Sequence, residues 1–77
     1  MSKLLKKIKN AQVADNNGVV VGTVHNVYDN EGQTVIVYKL VNGNDDEANL
    51  SWLLWNNYSF TRNGKVLDNM KILAASV

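Results

Sequence analysis

The residues of this chain that could do chemistry are few. Only His25 could serve as a histidine base, and the sequence contains no cysteine. A serine or threonine nucleophile needs an adjacent base to activate it. His25 lies inside a predicted strand, Val19–Tyr28, where a side chain of a small sheet typically faces solvent or an interface. The residue types therefore predict a protein that is not an enzyme. The hydroxyl side chains that could otherwise act as nucleophiles are Ser2, Ser51, Ser59, Ser76, Thr23, Thr34 and Thr61.

Metal-binding and cofactor-binding patterns are equally sparse. The segment Asn42–Glu47 contains Asp45, Asp46 and Glu47 and superficially resembles a calcium loop. It lacks the central glycine and the distal bidentate glutamate that an EF-hand requires. A single histidine without cysteines cannot complete a zinc site. We expect no metal and no cofactor, and we interpret this acidic segment as a solvated hairpin tip.

Two groups of residues point instead to binding. Lys3, Lys6, Lys7 and Lys9 crowd the N-terminus, although the net charge is only +1. Such a lysine face either contacts a phosphate backbone or an anionic surface, or is simply solvated. A second group is aromatic and could stack on bases, fill the core or form a protein contact. Its members are Trp52, Trp55, Tyr58 and Phe60.

The lysines require a short N-terminal helix to present them. Residues 2–10 are predicted to be helical, with Ser2 as the N-cap and Leu4, Leu5 and Ile8 on one side. A helix of nine residues is not stable alone in water, so it must dock on the rest of the molecule.

The remainder of the chain has the pattern of a β-sheet. Turn signals recur at Asn17-Gly18, Asn30–Gly32, Asn42-Gly43 and Asn63-Gly64, and Asn-Gly is the strongest short hairpin signal. The predicted strands between them are Val19–Tyr28, Gln33–Val41, Tyr58–Arg62 and Lys65–Leu73, after a first strand that begins near Gln12. Gly22, inside the second strand, indicates a bulge, a barrel corner or a close backbone approach.

These elements predict a mainly β fold: a small, strongly bent, five-stranded antiparallel barrel of SH3/Sm-like type with a short N-terminal helix. Both faces of Gln33–Val41 are largely apolar, so this strand is expected to be buried on both sides or to lie at an interface. Residues 44–57 are left open between a strand extension and one helical turn.

Length limits the organisation of the chain. The 77 residues make one domain, 1–77, whose core is small enough that oligomerisation would supplement it. The chain has neither a signal-peptide pattern nor an apolar run long enough to cross a membrane. A soluble, cytoplasmic protein without a membrane partner is expected.

The order of these elements resembles the Sm-like family. The segment Val13–Asp29, with Gly18 and Gly22, is similar to the first Sm motif, although Gly22 stands one position early. Phe60–Val66, followed by Met70–Leu73, is similar to the second motif, with Asn63 inserted between the arginine and the glycine. A family asparagine beyond the aspartate is absent, since Glu31-Gly32-Gln33 stands there.

The resemblance implies a homo-oligomeric ring, assembled through edge strands, that binds single-stranded RNA. The positions that correspond to its RNA-binding turns are Asp29, Asn30, Arg62, Asn63 and Gly64. Asp15–Val27 also resembles a PRC-barrel, which would imply a protein-interaction or adaptor module without RNA binding. In that interpretation Trp52 and Trp55 contact the protein partner.

Overall fold

A computed structural model describes residues 3–75 of the chain. These residues form one mixed-length antiparallel sheet of six strands, in the order β4-β3-β2-β1-β5-β6, together with three short helices. The elements in chain order are α1 (Lys3–Ile8), β1 (Gln12–Ala14), β2 (Val20–Asn30), β3 (Gln33–Leu40), β4 (Asp45–Asn49), α2 (Leu50–Trp55), β5 (Ser59–Arg62), β6 (Lys65–Val66) and α3 (Asn69–Ala75).

Two-residue turns build two of the hairpins. Glu31 and Gly32 join β2 to β3 with φ of 52° and 80°, and Asn63 and Gly64 join β5 to β6 with φ of 54° and 79°. Two consecutive positive φ values match the twist of antiparallel strands, and glycine and asparagine adopt them at least cost. All four predicted turn positions are confirmed, since Asn17-Gly18 and Asn42-Gly43 also lie between paired strands.

The prediction of a closed five-stranded barrel is wrong. The sheet has six strands and stays open, because β4 and β6 are its two edges and do not pair with each other. Helices cover the concave core instead of a closing strand pair. They contribute Leu4 and Ile8 from α1, Leu50 and Leu53 from α2, and Ile72 from α3, each at most 3% exposed. The broader prediction of a small, mainly β fold is correct.

The predicted strand Lys65–Leu73 is also wrong. Only Lys65–Val66 pairs as β6, and the chain then turns into α3. Asp68 starts this helix, because its Oδ1 accepts the Met70 N–H at 2.9 Å and so satisfies a free donor of the first turn. The open segment 44–57 contains both alternatives in succession, strand β4 and then helix α2.

Helix α1 occupies the centre of the predicted helix 2–10. It ends before Asn10, which adopts a φ of 65° typical of a residue that terminates a helix. Leu4 and Ile8 are fully buried and Leu5 is half-buried, so the predicted docking face is confirmed. The predicted N-cap Ser2 lies outside the described residues.

Strand β2 bends where the sequence indicated. An added Cβ at Gly22 would lie 2.6 Å from the carbonyl oxygen of Lys39 on β3, so the close backbone approach is confirmed. Next to it, the β2–β3 register shifts between Val24 and Asn26, which leaves His25 as the extra residue of a bulge.

Strand β3 has two different faces. Ile36 and Tyr38 are buried in the core under the helices, as expected for the inner face. On the other face Val35 is buried and Val37 is half-buried, whereas Val41, just beyond the strand, is 83% exposed. The outer face of β3 is therefore covered only in part.

Candidate nucleic-acid interface

Arg62 links the β5–β6 hairpin to the end of the N-terminal helix. Strand β1 follows α1 directly and pairs with β5, so that Gln12 lies opposite Thr61. This pairing places the last residue of β5 beside the end of α1, and Nη2 of Arg62 donates a hydrogen bond to the Lys9 carbonyl oxygen at 2.8 Å. A helix end has unpaired carbonyls, and a cation is favourable there. Arg62 thus attaches the β5–β6 hairpin to the lysine-rich helix.

The attachment produces one cationic region, which we call the basic surface. Its six members are exposed and come from α1, the residue that follows it and the β5–β6 hairpin. Lys71 is also exposed on α3, which packs against α1. Seven of the eight cationic side chains of the protein therefore come from α1, the residue after it, the β5–β6 hairpin and α3, and Lys39 on β3 is the exception. The basic surface consists of Lys3, Lys6, Lys7, Lys9, Arg62 and Lys65.

Asn63 and Gly64 form the tip of the β5–β6 hairpin next to Arg62. Both are exposed, and the Asn63 side chain has no hydrogen-bond partner among residues 3–75. The free amide offers two donors and one acceptor oxygen to a ligand. Of the predicted site residues, Arg62, Asn63 and Gly64 are therefore contiguous with the basic surface.

Asp29 and Asn30 lie on a different hairpin. They end β2 and pair with Thr34 and Gln33, next to Glu31 at the turn. Thr23 is the β2 residue level with Gln12 and Thr61. Asp29 stands six residues further along β2, roughly 20 Å of strand. The five predicted site residues thus divide into a cationic group and an acidic hairpin tip.

Acidic side chains concentrate on the edge strand β4. Two of them reach over the outer face of β3 to β2: Asp45 Oδ1 lies 3.2 Å from His25 Nε2, and Glu47 accepts a hydrogen bond from the Tyr28 hydroxyl. That bond, followed by burial and the charge of Glu47, raises the pKa of Tyr28 above its usual value. His25 accordingly makes an exposed polar contact on a sheet face, as its strand position predicted.

The third acid of β4 protects the edge itself. Asp46 Oδ1 accepts the Glu47 backbone N–H at 2.8 Å. An edge strand normally offers such amides to a neighbouring chain, and charged side chains discourage that pairing. The side chain of Asp46 therefore occupies a donor that edge-to-edge assembly through β4 would use.

The aromatic group separates into core and surface. Phe60 is fully buried in the core, and Tyr58 is half-buried with its ring centroid 5.4 Å from that of Trp52. Trp52 and Trp55 point away from the buried side of α2 and are 49% and 86% exposed. The two tryptophans are thus a surface feature, whereas Phe60 is unavailable for stacking on a ligand.

Lys65 and Lys71 were not identified from the sequence as companions of the N-terminal lysines. They follow Lys9 by more than fifty residues, and no spacing rule connects them. Within residues 3–75, no cluster of three histidine, cysteine or acidic side chains is arranged to hold a metal ion.

The sequence matches no protein-family model, and neither a curated protein nor a solved structure shows significant similarity to it. None of the helices within residues 3–75 has the length and apolar character needed to cross a membrane.

Proposed function

We propose that this chain is a non-enzymatic binding module that binds single-stranded RNA at its basic surface. The hydrogen bond from Arg62 to the end of α1 carries the proposal, because it holds the β5–β6 hairpin beside four lysines. A backbone of phosphates is the partner that such a row of exposed cations suits best.

The chemistry of the surface favours a single strand over a duplex. Helix α1 is six residues long, and its exposed positions carry lysines, which contact phosphates without reading bases. Base contacts are left to the hairpin tip, where the Arg62 guanidinium can stack on an unpaired base and the free Asn63 amide can bond to its edge. Arg62, Asn63 and Gly64 are the residues for which the Sm-like resemblance implies this role.

The same resemblance implies a ring built through edge strands, and the open sheet supplies two free edges. Strand β4 is acidic and β6 contains Lys65, so a head-to-tail contact between copies would join opposite charges. Opposing this, Asp46 already holds the Glu47 amide of the β4 edge. The ring proposal therefore requires the Asp46 side chain to turn away when copies meet.

Fluorescence anisotropy with labelled oligo-U and oligo-A tests RNA binding. We expect binding at about 50 mM salt that weakens roughly tenfold to a hundredfold by about 200 mM, as counterion release by several phosphate contacts requires. Arg62→Gln and the double variant Lys6→Gln/Lys7→Gln should weaken binding further, by about tenfold or more.

Lys39→Gln is the matched control. It also removes one positive charge, but from a lysine on β3 that lies outside the basic surface. Equal losses in Lys39→Gln and Arg62→Gln, or binding that does not respond to salt, would contradict the proposed site. A light-scattering mass measured on the same samples reports separately whether a ring forms.

A protein-interaction module is the second candidate, and the 86% exposure of Trp55 favours it. A large apolar side chain left in solvent is typical of a contact surface, and tryptophan is enriched among residues that dominate binding energy. In this case we expect the chain to bind no oligonucleotide at about 50 mM salt. We also expect that partner proteins captured by the immobilised wild-type chain are no longer captured by Trp55→Ala.

A further inference from the structure

A pocket opens between the β2–β3 turn, the first turn of α2 and the side of α3, and we call it the hairpin pocket. Its volume is about 330 Å³, which is near the lower end of the range for small-ligand sites in proteins. Part of its lining is exposed, so a ligand can enter directly from solvent. The lining residues are Gly32, Gln33, Thr34, Leu50, Ser51 and Leu73.

The lining combines apolar and polar side chains. Leu50 is 3% exposed and belongs to the core, whereas Leu73 on α3 is 43% exposed. Both leucines offer apolar surface to a hydrocarbon stem. The side chains of Gln33, Thr34 and Ser51 have no hydrogen-bond partner within residues 3–75. Their amide and hydroxyl oxygens are therefore free to accept hydrogen bonds from a ligand.

Two carboxylates border the hairpin pocket. Thr34 stands two positions before the buried Ile36 and so faces the same side of the sheet. Asp29 pairs with Thr34 across the β2–β3 hairpin, which puts the two side chains on one face with Cβ atoms about 4.5–5.5 Å apart. Glu31 precedes Gly32 in the turn. Neither Asp29 nor Glu31 has a side-chain hydrogen bond or an ion pair within residues 3–75.

Little positive charge opposes these carboxylates. Helix α2 contains no charged residue, and Lys71 is the one cation of α3. Lys71 lies about 200° around the helix axis from Leu73, so it points away from the pocket. The start of α2 contributes roughly half a positive charge, against two full negative charges. The pocket therefore favours a positively charged ligand.

We propose that the hairpin pocket binds an alkylguanidinium group, as carried by an arginine side chain. A guanidinium has five N–H donors in a planar fork and can reach several acceptors at once, whereas an ammonium has three. The acceptors here are the Asp29 carboxylate, the two hydroxyls of Thr34 and Ser51 and the Gln33 amide oxygen. The stem of such a ligand packs on the leucines while its charged end stays hydrated in part.

Other classes of ligand fit the pocket less well. An anion would meet the charges of Asp29 and Glu31. A wholly apolar ligand would cover the hydroxyls and the amide without supplying them with hydrogen bonds, which costs binding energy. This site goes beyond RNA binding, because it shares no residue with the basic surface and has the opposite charge.

Amide NMR spectra of the full chain, titrated with N-acetyl-arginine amide, test the proposal. We expect a Kd of about 1 mM, the usual affinity for a ligand of this size, with shifts at the amides that line the pocket. N-acetyl-citrulline amide has nearly the same shape without the charge and should bind at least about tenfold more weakly. Agmatine separates two sources: tighter binding of the capped arginine indicates a polypeptide ligand, and tighter binding of agmatine indicates a free alkylguanidine.

Asp29→Asn should weaken binding of the capped arginine by about fivefold to tenfold, because it removes a charge-assisted hydrogen bond and keeps the shape of the side chain. Asp45→Asn is the matched control. It removes the same charge from the opposite face, where Asp45 contacts His25 and pairs with Lys39, five residues or roughly 17 Å along β3 from Thr34. The spectra themselves show whether each variant is folded.

Equal binding of the citrulline and arginine compounds overturns the proposal, as do equal losses in Asp29→Asn and Asp45→Asn. The Sm-like resemblance instead implies that Asp29 contacts RNA. Loss of oligo-U binding in Asp29→Asn, with no shift from the capped arginine, would therefore assign the pocket to RNA and contradict the guanidinium site. Arg62→Gln should leave binding of the capped arginine unchanged, so failure of the RNA site and failure of the hairpin pocket are distinguishable.

Discussion

At the scale of single residues, backbone geometry accounts for part of the unusual asparagine content. Asn10, Asn57 and Asn63 have φ values of 65°, 62° and 54°. After glycine, asparagine is among the residues that tolerate this left-handed conformation best. Two of them follow helices α1 and α2, and the third makes the β5–β6 turn. These asparagines let short elements reverse direction within a few residues.

Gly22 is the position where packing tolerates no side chain. A Cβ there would lie 2.6 Å from Lys39 O and 3.0 Å from the Tyr38 ring, both on the paired strand. We expect Gly22→Ala to lower the free energy of unfolding by about 1–3 kcal/mol, the usual cost of overpacking. Urea denaturation followed by tryptophan fluorescence should show a lower midpoint with an unchanged slope.

Gly32→Asn serves as the comparison for Gly22→Ala. A Cβ at Gly32 meets nothing within 4 Å, and asparagine accepts its φ of 80°. The cost should therefore be about 1 kcal/mol or less. If both variants lose the same stability, the close approach of β2 and β3 is not what requires glycine.

Two tyrosines make stability depend on alkaline pH. Burial, followed by the charges of Asp46 and Tyr58, raises the pKa of Tyr38 above 10.0, and the bond to Glu47 raises that of Tyr28. Each phenol holds its proton more tightly in the folded state. Their stabilising contribution is complete below pH 10 and is lost as pH rises through the folded-state pKa.

We therefore expect wild-type stability to fall more steeply above pH 10 than that of Tyr38→Phe, which has no phenol to ionise at this position. Urea midpoints measured from pH 8 to about 11 test this, and the difference between the two proteins removes the shared titration of the lysines. Parallel curves would show that Tyr38 ionisation does not differ between folded and unfolded states.

At the scale of elements, β4 is the strand whose chemistry decides what the sheet edge can do. It is paired on one side only, and three of its five residues are consecutive acids. Asp45 and Glu47 bond across β3 to His25 and Tyr28, whereas Asp46 bonds to the backbone of its own strand. The first two attach the edge to the sheet, and the third occupies one backbone amide of the edge.

Asp46→Ala should open this edge. The variant frees the Glu47 N–H and removes one charge, so we expect higher mass in light scattering at equal protein concentration. The new association should weaken as salt rises if it joins β4 to the basic β6 of another copy.

Asp45→Ala is the matched control for Asp46→Ala. It removes the same charge from the same strand, but its carboxylate faces His25 and not an edge amide. An equal rise in mass for both variants would attribute association to lost charge alone. No rise for Asp46→Ala would argue against edge assembly through β4.

At the scale of the whole molecule, a net charge of +1 conceals a strong separation of charge. Apart from Lys39 on β3, the cations lie on α1, the residue after it, α3 and the β5–β6 hairpin, whereas the acids concentrate on β4 and the β2–β3 tip. Each region suits a different kind of partner: the basic surface suits a phosphate backbone, and the acidic edge suits a positively charged surface.

Local features were predictable from the sequence. The Asn-Gly turns and the buried side of α1 depend on the φ preferences of single residues and on side-chain periodicity over a few positions. The glycine inside the second strand marked a close backbone approach, but only strand pairing shows that Lys39 of β3 is the group that approaches Gly22. The exposed, polar character of His25 and of Asp45–Glu47 followed in the same way, although Asp45–Glu47 belong to the paired edge strand β4 and not to the predicted hairpin tip. Neighbouring residues set these properties whatever the rest of the chain does.

Only the tertiary structure decided the other features of the fold and the site, because these features depend on which distant segments of the chain meet. Whether the sheet closes depends on the helices that fill its core, and the helix at Asn69 depends on a cap that outweighs the strand pattern of Lys65–Leu73. The Arg62–Lys9 bond joins residues 53 positions apart. The amino-acid sequence by itself determined a small, turn-rich β domain without an evident catalytic group. Long-range strand pairing determined where its lysines, acids and tryptophans stand relative to one another, because only that pairing brings separate segments onto one surface.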